Sequence, residues 1–323
     1  MLAINIESYE EIEIQGKKVK IPPPEDVSEV VDYQFIGREE IIEFALSAWA
    51  KVDRIKPFNF RLCGPPGSGK NAIVYELARM LKKDLYIISG NDEFGPEDIA
   101  CTATMESGNK INYVGSPLFA AMLKGGICFF DEMGKVPSRA LATLASVLDA
   151  RRRITSTLAA ISFRAHEEFL FCAALNTEEE GIGLPGFIDQ RTRPAFYVGY
   201  PSVSEMEGIL KTHMPPASEL WIRVFIERFK DSELPVRNAI QILGLAHKLY
   251  MTDSDMAIDK EETGGEETET TKLNVDIIKK YIEMAHKLIV QCVNGKDIND
   301  NPEVDTNAIF RVFRNKEKSM HQN

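Results

Sequence analysis

Between Phe58 and Gly199, short apolar runs alternate with segments of helical period. The runs are Phe58–Cys63, Leu85–Ser89, Ile127–Asp131, Phe169–Ala174 and Ala195–Gly199; helix-period stretches include Lys70–Lys82, Ser116–Lys124 and Ser138–Ala150. Continuous apolar strands separated by amphipathic helices predict an α/β fold: a parallel sheet covered by helices on both faces. After Pro201 the strand pattern stops. Helices are expected at 202–212, 217–230, 235–250, 275–293 and 307–315, so a small all-helical domain should occupy 201–323 behind an α/β domain at 32–200. Residues 1–31 read as an N-terminal extension. Ile4, Ile6, Ile12 and Ile14 alternate with polar residues as in a short edge hairpin, which Pro22-Pro23-Pro24 would stop.

Composition narrows the class. With 323 residues, 44% hydrophobic and 27% charged, the chain has the make-up of a globular protein, which excludes collagen-like, mucin-like and wholly disordered chains. Lys plus Arg number 38 against 49 Asp plus Glu, a net charge of −11. That balance disfavours bulk duplex-DNA binding and leaves open only a local basic channel. Residues 252–272 hold eight acids and two lysines, −6 of that −11, and are expected to be a solvated acidic loop. No apolar run approaches the roughly 20 residues a membrane span needs. The first residues, MLAINIESYEEIEI, lack the basic and apolar regions of a signal peptide. The cysteines (Cys63, Cys101, Cys128, Cys172, Cys292) are odd in number with no CxxC, which suggests neither disulfides nor zinc. A cytoplasmic location is therefore expected. The five histidines show no metal-ligand spacing, and Trp49 and Trp221 fall on apolar helix faces as core residues.

The strongest chemical signal is Gly64-Pro65-Pro66-Gly67-Ser68-Gly69-Lys70, between a strand and a helix. Glycines let successive N–H groups turn inward on a phosphate, the helix N-terminus adds its positive dipole end, and Lys70 supplies a full charge. The next position, where a Ser or Thr hydroxyl ordinarily ligates Mg²⁺, is Asn71. Its amide oxygen suits a hard cation directly or through water; impaired Mg²⁺ binding is the competing expectation. Asp131 and Glu132 follow the buried run Ile127–Phe130, at the strand end where ligands bind in parallel sheets. Asp131 is a candidate for Mg²⁺, and Glu132 for orienting and deprotonating water. Asn176 ends a further apolar strand. Were that strand to lie between the loop strand and the acid strand, Asn176 would face the γ-phosphate.

The order GPPGSGK, ICFFDE, FCAALNT, an Arg-containing segment and a helical tail resembles AAA+ ATPases, and more finely their MoxR branch, over about residues 33–250. CTATMESGNKINY (101–113), followed by Gly115-Ser116-Pro117-Leu118, resembles the MoxR insert that interrupts the second helix. SVLDARR (146–152) resembles "SVLDERR", Ile154–Arg164 the hairpin before sensor 1, and LPGFIDQR (184–191), closing at Gly199-Tyr200-Pro201, the "LPEALLDRF…GYP" stretch. The resemblance implies a ring, usually hexameric, with ATP and Mg²⁺ between neighbours. It implies an arginine finger at Arg191, with Arg193 a close rival, and a sensor 2 arginine at Arg237 in the first turn of a lid helix. Ile36 and Gly37 resemble the segment bordering adenine. ATP is expected as the base, because no NKxD guanine reader follows the acid strand; absence of an LSGGQ stretch argues against a transporter-type ATPase. Arg151-Arg152-Arg153 suit a neighbour's nucleotide, a ring pore or a solvated helix end equally.

The implied function is a chaperone-like ATP hydrolase that remodels a protein client or inserts metal into it, often with a von Willebrand factor A partner. Two other classes stay open. One is a nucleotide-gated scaffold with weak hydrolysis, motivated by Asn71 and the broken finger motif. The other is a nucleic-acid motor, disfavoured because Lys110 is the only cation in 101–113.

Overall fold

The computed structural model describes residues 8–27, 34–106, 110–177, 183–214, 219–261 and 275–293. The chain divides into two compact units, Met1–Gly199 and Tyr200–Asn323. In the first, β1 (Glu10–Ile14) and β2 (Lys17–Ile21) precede helix α1 (Glu39–Trp49). Next come β3 (Phe60–Gly64), α2 (Lys70–Leu81) and β4 (Leu85–Ser89). Helix α3 (Pro96–Ala100), the pair β5 (Cys101–Glu106) and β6 (Lys110–Gly115), and α4 (Pro117–Lys124) lead to β7 (Ile127–Asp131). Helix α5 (Ser138–Leu144) and the pair β8 (Arg153–Ser156) and β9 (Ile161–Arg164) lead to β10 (Leu170–Asn176); α6 (Gly186–Asp189) and β11 (Ala195–Tyr197) close the unit.

The central sheet has the order β11-β3-β10-β7-β4, with every neighbouring pair parallel. The inner strands β3, β10 and β7 are buried on both faces, which explains their largely continuous apolar character, whereas the edge strand β11 is partly exposed. On one face Phe60, Leu62, Phe129 and Cys172 pack with Trp49, Ile73 and Leu77 of the helices. On the other, Cys128, Phe130, Phe171 and Ala173 pack with Phe119, Met122, Leu141 and Leu144. Alternate residues of β7 and β10 thus serve opposite cores, as the period of two requires. Trp49 is buried and donates its indole N–H to the Phe171 carbonyl at 3.3 Å.

Of the N-terminal extension expected over 1–31, residues 8–27 are described. Residues 8–27 are joined to the α/β unit, because β1 and β2 continue into a four-stranded sheet, β1-β2-β6-β5. Val19 and Ile21 are buried in the same core as Phe130 and Phe171. Gln15 and Gly16 both take positive φ, 51° and 72°, the combination a two-residue hairpin turn requires. The Gln15 side chain then behaves like a piece of strand. Its Nε2 donates to the Ser162 carbonyl at 2.7 Å, and its Oε1 accepts from the Ser162 N–H at 3.1 Å, fastening this hairpin to β9. The insert at 101–113 is a β-hairpin between two short helices, and 154–164 falls within the hairpin β8–β9.

The helix expected over 138–150 ends at Leu144. Asp149 accepts the backbone N–H of Arg151 at 2.9 Å and turns the chain toward β8. Arg151–Arg153 therefore do not form a helix end. Arg151 pairs with Asp149, Arg152 donates to the Phe169 carbonyl and lies over the Phe169 ring, and Arg153 reaches Ser162.

The second unit contains α7 (Val203–His213), α8 (Glu219–Phe229), α9 (Val236–Glu261) and α10 (Val275–Val293). Ser202 and Glu205 form a reciprocal capping box at the start of α7. Leu210, Trp221, Phe225, Leu243, Ile278 and Ile282 make its core. Helix α9 runs through Glu261, so the acidic loop expected at 252–272 begins as helix; its charges do not break a helix, and the first glycines come only at Gly264 and Gly265. The rest of that loop and the helix expected at 307–315 lie outside the described residues. Among the described residues, no helix is long and apolar enough to cross a membrane.

Two outcomes follow. Ile21→Ala should lower unfolding free energy by about 2–5 kcal/mol in denaturant titrations, while Met105→Ala, at a position 75% exposed, should stay within about 0.5 kcal/mol of the parent. Glu168 accepts from Lys51 at 2.8 Å and lies 3.2 Å from Lys83. The hydrogen bond from Lys51, then that from Lys83, holds its carboxyl down at about 2. A depressed carboxyl stabilises the fold above its unfolded value, about 4.3, and loses that contribution as pH falls toward 2. Acid titration of Glu168→Gln against the parent should show a difference under about 1 kcal/mol at neutral pH, since the groups are half-exposed, and none at the acid end.

Candidate functional site

The C-terminal ends of β3, β10 and β7 lie side by side. Asn176 is in register with Gly64, and β7 ends at Asp131. From Gly64 the chain turns through Pro65, Pro66, Gly67, Ser68 and Gly69 into α2 at Lys70. Gly67 and Gly69 have φ of 73° and 95°, which strain any L side chain. A Cβ at Gly69 would meet nothing, so the cradle is open there. At Gly64 the constraint is different: a Cβ would sit 2.0 Å from the Val198 carbonyl oxygen. The first N–H groups of α2 have no side-chain cap, the arrangement that accepts an anion. Lys70 is buried and donates to the carbonyls of Gly64 at 2.9 Å and Pro65 at 2.8 Å. Ser68 Oγ is buried without a hydrogen-bond partner.

On the acid side, Asn71 Nδ2 donates to Asp131 Oδ2 at 2.8 Å, and the Glu132 N–H donates to Asp131 Oδ1 at 2.9 Å. Glu132 has φ 52° and opens a single 3-10 turn that carries Lys135 back to it, Nζ to Oε1 at 2.9 Å. The structure therefore brings together the loop, Lys70, Asn71, Asp131, Glu132 and Asn176.

Ile36 and Gly37 are half-buried in the turn before α1. Arg38 links that turn to the site by donating to the carbonyls of Gly199 at 2.7 Å and Ser68 at 3.4 Å. Arg191 donates to the Phe187 carbonyl at 2.6 Å. Arg193, exposed, pairs with Asp189 at 2.7 Å. The Arg193 hydrogen bond holds the Asp189 carboxyl below the usual carboxylate range, with the Arg61 charge adding to it and burial opposing. Arg237 is exposed near the start of α9, in the second unit.

Sequence reasoning missed Arg38, Lys135 and Arg61. Arg61 carried a signal: one cation in the apolar run Phe58–Cys63 must be paired if buried. Lys135, three residues after Glu132, had the spacing of a helical ion pair. Arg38 carried none beyond its place after Gly37.

The donor set suits a magnesium nucleotide. The unpartnered Ser68 hydroxyl, the open glycine cradle and a buried ammonium suit a polyphosphate. Asp131 and the Asn71 amide supply hard oxygens for Mg²⁺.

Residues 59–185 match the family model described as AAA domain (dynein-related subfamily). Among solved structures, the Thermotoga maritima RuvB Holliday junction branch migration motor superposes with a TM-score of 0.50 and 17% identity, covering 77% of this chain and 70% of that one. Its P216G mutant gives 0.51, covering 86% and 83%. Curated relatives include uncharacterized proteins of Staphylococcus epidermidis, 28% identical over 50% of this chain and 62% of that protein, and of Staphylococcus saprophyticus, 27% over 44% and 54%. The chain thus spans little more than half the length of these relatives. Over residues 59–185 the chain is thus similar to an AAA domain, and its fold is similar to that of RuvB.

Gly64→Ala should abolish nucleotide binding, read by titration with a fluorescent ATP analogue, because the added methyl must displace the Val198 backbone. Gly244→Ala, where a Cβ meets nothing, should leave affinity unchanged.

Proposed function

We propose that this chain hydrolyses ATP at the interfaces of a homo-oligomeric, hexameric ring and uses the cycle to remodel or mature a protein client. The observation that carries the reading is the strand order that sets a phosphate loop with a buried Lys70 beside Asn176 and the Asp131–Glu132 pair. Loop N–H groups and Lys70 hold the β- and γ-phosphates, and Ile36 and Gly37 border the adenine. Asp131 and Asn71 would hold Mg²⁺, which offsets phosphate charge. Glu132, released from Lys135, accepts the proton of the attacking water while Asn176 aligns it. Arg191, with Arg193 its rival, reaches the adjoining protomer's γ-phosphate, and Arg237 serves phosphates in its own chain. The MoxR-like client role, including a von Willebrand factor A partner, rests on the motif order and on the hairpins β5–β6 and β8–β9.

A nucleotide-gated scaffold is the second reading. It is favoured by the pairs Asn71–Asp131 and Lys135–Glu132, which engage both acids internally. A nucleic-acid motor, the role named for RuvB, has against it the net charge of −11 and a single lysine in the insert.

Steady-state ATPase against protein concentration decides between them. Turnover per chain should rise with concentration together with native mass in ATP analogue. Glu132→Gln should lower it by about 10²-fold or more, and Asn71→Thr should keep or raise it. Wild-type turnover no faster than that of Glu132→Gln at saturating protein would leave the scaffold.

A further inference from the structure

Outside the phosphate site, Arg61 carries a cluster of buried polar contacts. It lies on β3, three residues before Gly64, and its side chain is only 10% exposed. Among the described residues its side-chain acceptors belong to one short segment: Asp189 Oδ1 at 2.6 Å, the Asp189 carbonyl at 3.0 Å, Thr192 Oγ1 at 2.9 Å and the Thr192 carbonyl at 3.4 Å. The Arg61 N–H also donates to the Pro194 carbonyl at 3.1 Å. Two residues earlier along the chain, Asn59 Nδ2 donates to the Arg191 carbonyl at 3.2 Å and the Leu148 carbonyl at 3.0 Å. The segment leading into and through β3 therefore grips the backbone on both sides of Arg191.

The two candidate fingers sit differently on this anchorage. Arg193 is spent on Asp189, which Arg61 already holds. Among the described residues, Arg191 has no carboxylate within ion-pair distance, and its guanidinium bonds only the Phe187 carbonyl. A buried Arg in a fork-and-carboxylate contact is stiff, because loss of either partner strands a charge. A finger mounted on that contact has its origin fixed relative to its own protomer's phosphate loop.

We propose that the Arg61–Asp189 pair is the positioning element for the interprotomer arginine, which is Arg191, so that the strand carrying one phosphate loop sets the reach of the cation serving the next site. This rests on the interprotomer hydrolysis proposed above. The pair belongs neither to the phosphate loop nor to the Asp131–Glu132 edge. It acts through Arg191 alone, and a displacement of even 1 Å at a catalytic cation costs roughly 10²-fold in rate.

The test uses the full chain with Asp189→Asn, a change of one atom. ATP-analogue affinity should stay within about twofold of wild type while turnover falls roughly tenfold to a hundredfold. Mixing Asp189→Asn with Glu132→Gln should restore activity above either alone, since intact fingers on Glu132→Gln chains then serve intact sites on Asp189→Asn chains. A merely structural defect would not be rescued in this way. The double variant Arg61→Met with Asp189→Asn removes the stranded charge and should behave alike if Asp189→Asn folds poorly. Unchanged turnover, no recovery on mixing, or a tenfold loss of nucleotide affinity would overturn the proposal. Wild-type turnover independent of concentration would instead remove the interprotomer reading beneath it.

Discussion

Strand β10 hydrogen-bonds to β3 on one side and β7 on the other, and the site depends on that insertion. Were β3 and β7 adjacent, the phosphate loop and the acid pair would be one strand spacing apart, roughly 4.8 Å. Placed between them, β10 opens the gap to two spacings and fills it with Asn176. Apolar pressure drives this arrangement. Phe171 and Ala173 face one core, Leu170, Cys172 and Ala174 the other, and a strand so apolar is stable only in the interior of a sheet covered on both faces. The polar tip then has one way out, at the C-terminal edge.

Charges at that edge are matched internally. Lys70 lies on two loop carbonyls, Asp131 takes the Asn71 amide and its own neighbour's N–H, and Glu132 takes Lys135. For the buried Lys70 these contacts satisfy a group that would otherwise be left desolvated. Each is also an exchange that a polyphosphate and its counter-cation could make without unfolding anything, since the partners are single side chains or loop carbonyls. Ser68 Oγ is the exception, a buried hydroxyl with no internal match.

Elements defined by local chemistry were legible in the sequence. The helix starting at Lys70, the strand Ile127–Asp131 and the helix 275–293 are where apolar period and turn residues agree. Elements decided by distant partners were not. The alternation of Ile4, Ile6, Ile12 and Ile14 suggested a short edge hairpin, but nothing local reveals that Lys17–Ile21 is its second strand or that Val19 and Ile21 complete a core shared with Phe171. Helix α5 is shorter than its periodicity because the Asp149 turn competes with it. The loop, lysine and acids were found because phosphate chemistry demands particular residues at fixed spacing. Arg38, Arg61 and Lys135 were missed because an arginine or lysine declares its role only through what it reaches.

Side-chain reach also explains how the first unit holds its hairpins. The β8–β9 hairpin pairs with no other strand of the described residues. Alone, two short strands would be marginal in water. Gln15 supplies the missing edge by pairing its amide with the Ser162 backbone in both directions, and Phe163 sets its ring edge-on against Phe119 at 4.8 Å. The polar contact joins β8–β9 to the N-terminal hairpin, which pairs with the insert through β2–β6, and the aromatic contact joins it to α4. These hairpins are anchored at β2, whose Val19 and Ile21 are buried in the core beneath β7. Through its pairing with β6 and the Gln15 amide, the N-terminal hairpin ties β5–β6 and β8–β9 to the core beneath the sheet bearing Asp131.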